Sequence, residues 1–399
     1  MQFKRCLYTL LSASSLGLAS GGDVWANSSN SDLPKAQTER PKPLQILAKN
    51  LNNFDVFKPK PQTRNASFDF TLWDDLLNSF VVPFGPSLRQ IARKPKPQVG
   101  TRLMQGNQSK YRLEGNKISY SLTPSQNFDV VTEYRKELVR IANEQDFQRF
   151  SRDEQLAFWF NLHNVVLIDE IAKNYPVRRP SSQITFGSNE VPLHDAKLIT
   201  IKEVPLSLRD IREKIVYRNW SNPDVIYGFT HGDIGGPAIY TSAYKARNLS
   251  YALNYQAIEY INSLRGVQAL YRDRKISKIY DEARPYFFTN WPADVEGHIR
   301  KHAETGALDA INKKRPLTFV NYDTTIADLL GGRTIVNTSP VFSTDAYATH
   351  FLPPILSERA NKFEALRLKG YVYEGKTGTI IIEDIETVDT NSHGSREPR

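Results

Sequence analysis

One stretch of this chain gathers residue types that can do chemistry: His231-Gly232-Asp233-Ile234-Gly235-Gly236-Pro237. An imidazole and a carboxyl two residues apart can exchange protons, and backbone N–H groups at a glycine bend can hold negative charge. The same residues also suit an ordinary tight turn with a hydrogen-bonded histidine. The run before it, Val225 to Thr230, reads as a buried strand, which makes the bend a strand-to-helix corner.

Other constellations carry less. His298 and His302 stand four apart on an expected helix, the spacing that brings two imidazoles to one metal. Arg300 and Lys301 lie between them and no third ligand shows in the sequence, so a solvated helix without metal is the expectation. His194-Asp195 falls in an expected hairpin turn, where aspartate bonds its own backbone. Gly370 to Thr377 fits the phosphate-loop spelling, but Tyr371 to Glu374 read as strand and Thr379 to Ile382 are a β-branched run that does not start a helix. Nucleotide binding is set aside, and no cofactor is called for.

The element that must position these groups is Ser151 to Pro176. Ser151 and Glu154 have capping-box spacing, and Pro176 forces a stop. Between them, apolar residues from Leu156 to Ile171 cover nearly the whole circumference, the pattern of a core helix. Its polar members are therefore informative. Asn161 and Asn164 share a face, where they either tie down neighbouring backbone or line a pocket.

Around this helix the expected elements are a helix in Phe70–Val82 with Leu72, Leu76 and Phe80 on one face, and a hairpin in 100–122 turning at Glu114-Gly115-Asn116-Lys117. An amphipathic helix is expected over Asn127–Asn143, then strands over Ser182–Phe186 and Glu190–Ile201 and a short helix over Leu206–Tyr217. Helices over Leu249–Leu264, Glu296–His302 and Leu308–Asn312, a strand over Leu317–Tyr322 and a hairpin over Gly370–Asp384 follow. The fold class is α+β: a single main domain with a buried central helix packed against a small mixed sheet, a disordered N-terminal tail and a C-terminal hairpin extension.

Met1 to Ala26 reads as a secretory leader, with Lys4 and Arg5 ahead of the apolar run Leu7–Ala19 and Val24-Trp25-Ala26 as the cleavage site. Residues 27–66 are a disordered, basic, Pro/Lys-rich linker, 67–330 the globular domain, 331–386 an extension packing on it and 387–399 a frayed tail. Lys58-Pro59-Lys60-Pro61-Gln62 recurs at Lys94-Pro95-Lys96-Pro97-Gln98, as extended solvated chain or a strap for polyanions. Cys6, the only cysteine, leaves with the leader, so the mature chain has neither disulfide nor thiol. Loss of Lys4, Arg5 and Asp23 takes the net charge from +9 to +8, a bias towards anionic envelope polymers rather than nucleic acid. The protein is thus expected in the periplasm or the medium, with no transmembrane span once the leader is removed.

Leu156 to Asn164 resembles the Phe-Trp-Ile-Asn-x-Tyr-Asn helix of the DUF547 family, an uncharacterised domain of bacteria and plants. Leu206–Ile215 resembles its Asp-Ile-Glu-His segment, Ile234–Ile239 falls where it has Ser-Cys-Pro-Pro, and Phe319–Asp323 resembles its closing Tyr-Asp element, a span of roughly 68–330. The family pattern of cysteine and histidine looks like that of a thiol-dependent hydrolase or transferase. Carried onto this chain, Gly236 stands at the cysteine, Glu213 at the histidine of the second segment, Asp169 at a histidine late in the core helix, and His163 at the tyrosine between the two asparagines. Thiol chemistry is thereby excluded.

Three functions stay open. The first is a non-catalytic binding module for an envelope ligand, its site lined by Asn161, Asn164, Glu213, His231, Asp233, Gly235 and Gly236. The second is an enzyme working by general acid–base catalysis with Glu213, Asp169 and His231. The third is an electrostatic binder of anionic envelope polymers acting through its Lys-Pro straps.

Overall fold

The computed structural model describes residues 53–94, 106–269, 272–320, 322–333 and 354–371, all within one unit, Ala48–Arg399. The leader, the linker before residue 53, the second Lys-Pro repeat beyond Lys94, the C-terminal hairpin beyond Tyr371 and the tail lie outside the described residues. Among those described, no helix is long and apolar enough to cross a membrane.

Helix α1 (Thr71–Phe80) buries Trp73, Leu76, Leu77 and Phe80, an i, i+3, i+4, i+7 stripe. Leu72, expected on that face, is 46% exposed, because Trp73 and Leu77 set the stripe instead. Strand β1 (Val81–Val82) pairs antiparallel with β2 (Lys117–Ile118), which displaces the expected local hairpin over 100–122. Gly115 does take the positive φ a turn needs, +68°. The side chain of Asn116, however, bonds the backbone of Phe84 and Ile239, so distant partners set the pairing.

Helix α2 (Ser125–Glu144) lays Val131, Tyr134, Leu138 and Ala142 along α3 (Arg152–Lys173), the core helix. Every residue of α3 from Glu154 to Ile171 is buried. Each large apolar side chain so buried contributes about 1.5–3 kcal/mol. Ser151 Oγ accepts the Glu154 N–H at 3.1 Å, but the reciprocal half of the capping box is missing. Glu154 instead takes the N–H of Phe68 at 3.2 Å and so ties down the incoming chain.

Next come α4 (Pro180–Gln183), a hairpin of β3 (Thr185–Phe186) and β4 (Val191–Pro192), and a second of β5 (Ile199–Ile201) and β6 (Val204–Leu206). The helix expected over Leu206–Tyr217 is π-helical over Asp210–Tyr217. The strand expected over Val225–Thr230 is a 3₁₀ turn, Pro223–Gly228. Its start is pinned by Pro223 and by Asn222, whose side chain accepts the Asp224 N–H at 3.0 Å. This capping outweighs the β-branched composition.

Helix α5 (Leu249–Ile261) packs on that turn. After it, β7 (Val267–Ala269), β8 (Arg274–Ile276) and, later, β9 (Leu317–Phe319) form a mixed sheet, β8 running antiparallel to β7 and parallel to β9. Helices α6 (Ile279–Phe287), α7 (Ala293–His302) and α8 (Thr305–Ile311) lie between β8 and β9 in sequence. The class is α+β, with α2 as the main partner of the core helix and the sheet against α8. Helix α9 (Pro354–Leu368) closes over β1: Arg359 donates to Pro83 O at 2.6 Å, Lys362 to Leu113 O at 2.7 Å, and Glu358 pairs with Arg112 at 2.6 Å.

Candidate functional site

The polar side chains of α3 divide into two jobs. Asn161 bonds both backbone groups of Tyr244, donating to its carbonyl at 2.8 Å and accepting its N–H at 3.0 Å. It fastens the chain leading into α5. Asn164 donates to Gly228 O at 3.1 Å and accepts the Thr230 N–H at 3.1 Å, which fixes the residue just before His231.

Around that point three histidines meet one arginine. Arg212, on the π-helical segment, is 1% exposed and bidentate to Glu282 of α6 at 2.7 and 3.1 Å. Its Nη1 lies 3.2 Å from His163 Nε2 and 3.3 Å from His194 Nδ1. A guanidinium only donates, so both nitrogens are acceptors. The opposite nitrogens then carry the protons: His163 Nδ1–H donates to Asn164 Oδ1 at 3.0 Å and His194 Nε2–H to His231 O at 3.2 Å. Two neutral imidazoles are thus locked in defined tautomers. Burial first, and the Arg212 charge second, depress the pKa of both.

His231 is neutral as well, its pKa pushed down to about 3 by burial and then by Arg212. Tyr322 Oη lies 3.3 Å from His231 Nδ1. Burial and the neighbouring Asp233 hold this phenol well above its usual value, so it stays protonated and donates. His231 Nε2 has no hydrogen-bond partner among the described residues.

The glycine bend is closed rather than open. Gly235 N–H donates to Asp323 O at 2.8 Å and Gly236 N–H to Asp233 O at 3.2 Å. A Cβ on Gly236 would lie 2.8 Å from His231 Cβ and 2.9 Å from Tyr322 Oη. Neither a nucleophile nor free amide donors are offered here. Asp233 is buried, accepts from Ser181 through Oδ2 and leaves Oδ1 without a partner. Burial raises its pKa well above the ordinary carboxylate value.

Glu213 joins the cluster at its edge, 3.4 Å from Arg209, which also bonds Asp195 at 2.5 Å. Burial and the Glu282 charge raise its pKa. Asp169 does not join. Its oxygens are taken by Thr132 at 2.5 Å, Arg135 at 2.6 Å and Lys173 at 2.6 Å, which binds α3 to α2. The structure therefore brings together His231, Asp233, Gly235 and Gly236, with Asn164 behind them and Glu213 reached through Arg209 and Glu282. Asn161 and Asp169 face elsewhere. Arg212, Glu282 and Tyr322 carry the cluster and give no separate signal in the sequence, since a buried arginine in a short helix reads like a solvated one.

Concavity lies on the far side of the bend. Ile234 N–H donates to Thr325 O at 2.7 Å, and with the Gly235–Asp323 bond this staples the bend to residues 323–325. Asp323 and Thr325 border a pocket of about 380 Å³, also lined by Gly106, Gln108, Ser109, Lys110, Arg178, Gly331 and Arg333. Three cations face one carboxylate. Asp323 is occupied, accepting Ser109 Oγ at 2.6 Å and the Thr325 N–H at 3.0 Å. Lys110 and Arg178 have no ion pair among the described residues. Burial and the like charge of Arg178 lower the pKa of Arg333.

The solvated-helix expectation for His298 and His302 is overturned. Both are buried, at 8% and 6% exposed, and Asp224 stands beside them as the third group the sequence did not reveal.

Fold and site define an α+β domain wound round one buried helix, with a sealed, histidine-rich bend and a basic pocket behind it. Residues 147–261 match the family model described as "Protein of unknown function, DUF547". That match covers α3, the π-helical segment and the bend but stops short of Tyr322 and the pocket's Asp323–Arg333 edge. No curated protein and no solved structure gives a significant match.

Proposed function

We propose that this is an exported DUF547-type module that binds an anionic cell-envelope ligand without transforming it. The observation that carries this reading is the pocket of about 380 Å³ in which Lys110, Arg178 and Arg333 outnumber Asp323. Cations grouped in a concave site with low-dielectric walls concentrate and orient anions. The leader-like residues 1–26 and the excess of basic residues support export and an acidic partner.

The acid–base alternative finds little support. Asp169 is held down, first against burial and then by Lys173, Thr132 and Arg135, and serves α2. His231 is a weak base at neutral pH. Glu213 is ion-paired to Arg209.

The strap reading and the pocket reading separate in one experiment. Purified chain starting at Asn27 is titrated with polygalacturonate, with neutral dextran as control, beside a version that starts at Asn53 and carries Lys58→Ala and Lys60→Ala, which keeps the buried Phe54 and Phe57 in place. Equal affinity for the acidic polymer in both, and none for dextran, supports the pocket. Binding lost in the shortened, lysine-substituted version returns the function to the Lys-Pro strap.

A further inference from the structure

We propose that Asp224, His298 and His302 form a binding site for a divalent transition metal, with zinc the ion best suited to the ligand set. Helix α7 presents the two imidazoles one turn apart, and the 3₁₀ turn capped by Asn222 presents the carboxylate. Asp224 Oδ1 lies 2.8 Å from His302 Nε2 and 3.8 Å from His298 Nδ1, and the three ligand atoms fall within 4.8 Å of one another.

The 3.8 Å separation is too long for a hydrogen bond. Two ligands each about 2.0–2.1 Å from a tetrahedral zinc stand roughly 3.4 Å apart. The two pairs that include Asp224 straddle that spacing, each about half an ångström from it. The outer nitrogen of His298 is already engaged: Nε2 lies 2.9 Å from Tyr227 Oη, which meets Tyr280 Oη at 3.1 Å. This contact fixes the ring and leaves Nδ1 to face Asp224, as outer partners of metal-bound histidines do.

The two intervening cations do not block the ion. Arg300 is turned to Glu296 at 2.7 Å. Lys301 meets the other oxygen of Asp224, Oδ2, at 3.1 Å on a side chain 61% exposed, so Oδ1 stays available. Three protein ligands leave a fourth position for water or a small anion. The histidines around Arg212 are no rival, because a guanidinium sits between two of their nitrogens.

The test uses the intact chain, stripped with chelator and titrated calorimetrically with zinc alone, with cobalt(II) absorption reporting coordination. One equivalent should bind. Affinity should drop at least about 100-fold in Asp224→Asn and in His302→Gln, and about 10-fold in Tyr227→Phe, the range for lost ligands and outer partners. Zinc should raise the thermal midpoint of the wild type. Where a ligand variant fails to fold, Tyr227→Phe, which removes a single oxygen, carries the test. Folded wild type that ignores millimolar zinc overturns the proposal. So does binding untouched by the folded variants, or binding abolished by His194→Gln instead.

Discussion

Tyr322 Oη lies 3.3 Å from His231 Nδ1 and fills the space that a side chain at position 236 would need. The bend therefore holds a hydroxyl–imidazole contact, sealed against the backbone, where the family resemblance places a reactive sulfur. A nucleophile cannot be added there without moving Tyr322 or His231.

Gly236→Cys should accordingly destabilise the protein by about 1–3 kcal/mol, the usual cost of overpacking, and should create no esterase or peptidase activity. Urea denaturation measures the first part and fluorogenic substrates the second. A stable, active Gly236→Cys variant would show that the space is more yielding than a Cβ 2.8 Å from His231 Cβ implies.

Removing one partner of the buried Arg212–Glu282 pair should cost about 3–5 kcal/mol, because it strands the other charge. Arg212→Met also leaves the acceptor nitrogens of His163 and His194 without a donor. In a double-mutant cycle on denaturant midpoints, Arg212→Met with Glu282→Gln should cost less than the two single changes summed. Simple additivity would argue against direct coupling.

Stability should fall on acidification. Burial takes His231 from its ordinary 6.5 down to about 3, so between these values the unfolded chain binds the extra proton. The contribution of this histidine is complete above pH 6.5 and is lost as pH falls towards 3, by up to about 1.4 kcal/mol per unit. His163 and His194 shift the same way. Asp328, raised by burial from 3.8 to about 6, acts in the opposite sense between those values. Comparing urea midpoints of wild type and His231→Gln across pH 4–7 isolates the histidine, and the wild type should show the steeper decline.

The two asparagines of α3 should separate by function. Asn161→Ala orphans the N–H and carbonyl of Tyr244, at about 1–3 kcal/mol, and should leave ligand affinity unchanged once the protein is folded. Asn164→Ala should cost a similar amount and also loosen Thr230 beside His231, visible in the histidine ring signals by NMR. Identical spectra for the two variants would contradict this division.

Much of the frame is legible in the sequence. The α3 pattern, apolar on every side from Leu156 to Ile171, permits only a core helix, and the spacing in α2 and α5 gives their buried faces. Elements fixed by distant partners are not legible: Lys117 pairs with Val82, and an asparagine cap turns a β-branched run into a 3₁₀ turn. The site divides the same way. The His231 bend announces itself through its glycines, whereas Arg212, Glu282 and Tyr322 meet only in three dimensions, 70 residues separating the first pair. His298 and His302 look solvated beside Arg300 and Lys301 until Asp224 arrives from 78 residues away.

The central claim is that the basic pocket behind the bend recognises an anion. It is tested most directly by polygalacturonate binding to wild type, Lys110→Ala and Arg178→Ala in 50 and 200 mM salt. Each variant should bind about 5–10-fold more weakly at low salt, and the difference should shrink as salt screens the contact. Equal affinity in all three proteins at 50 mM salt would contradict it.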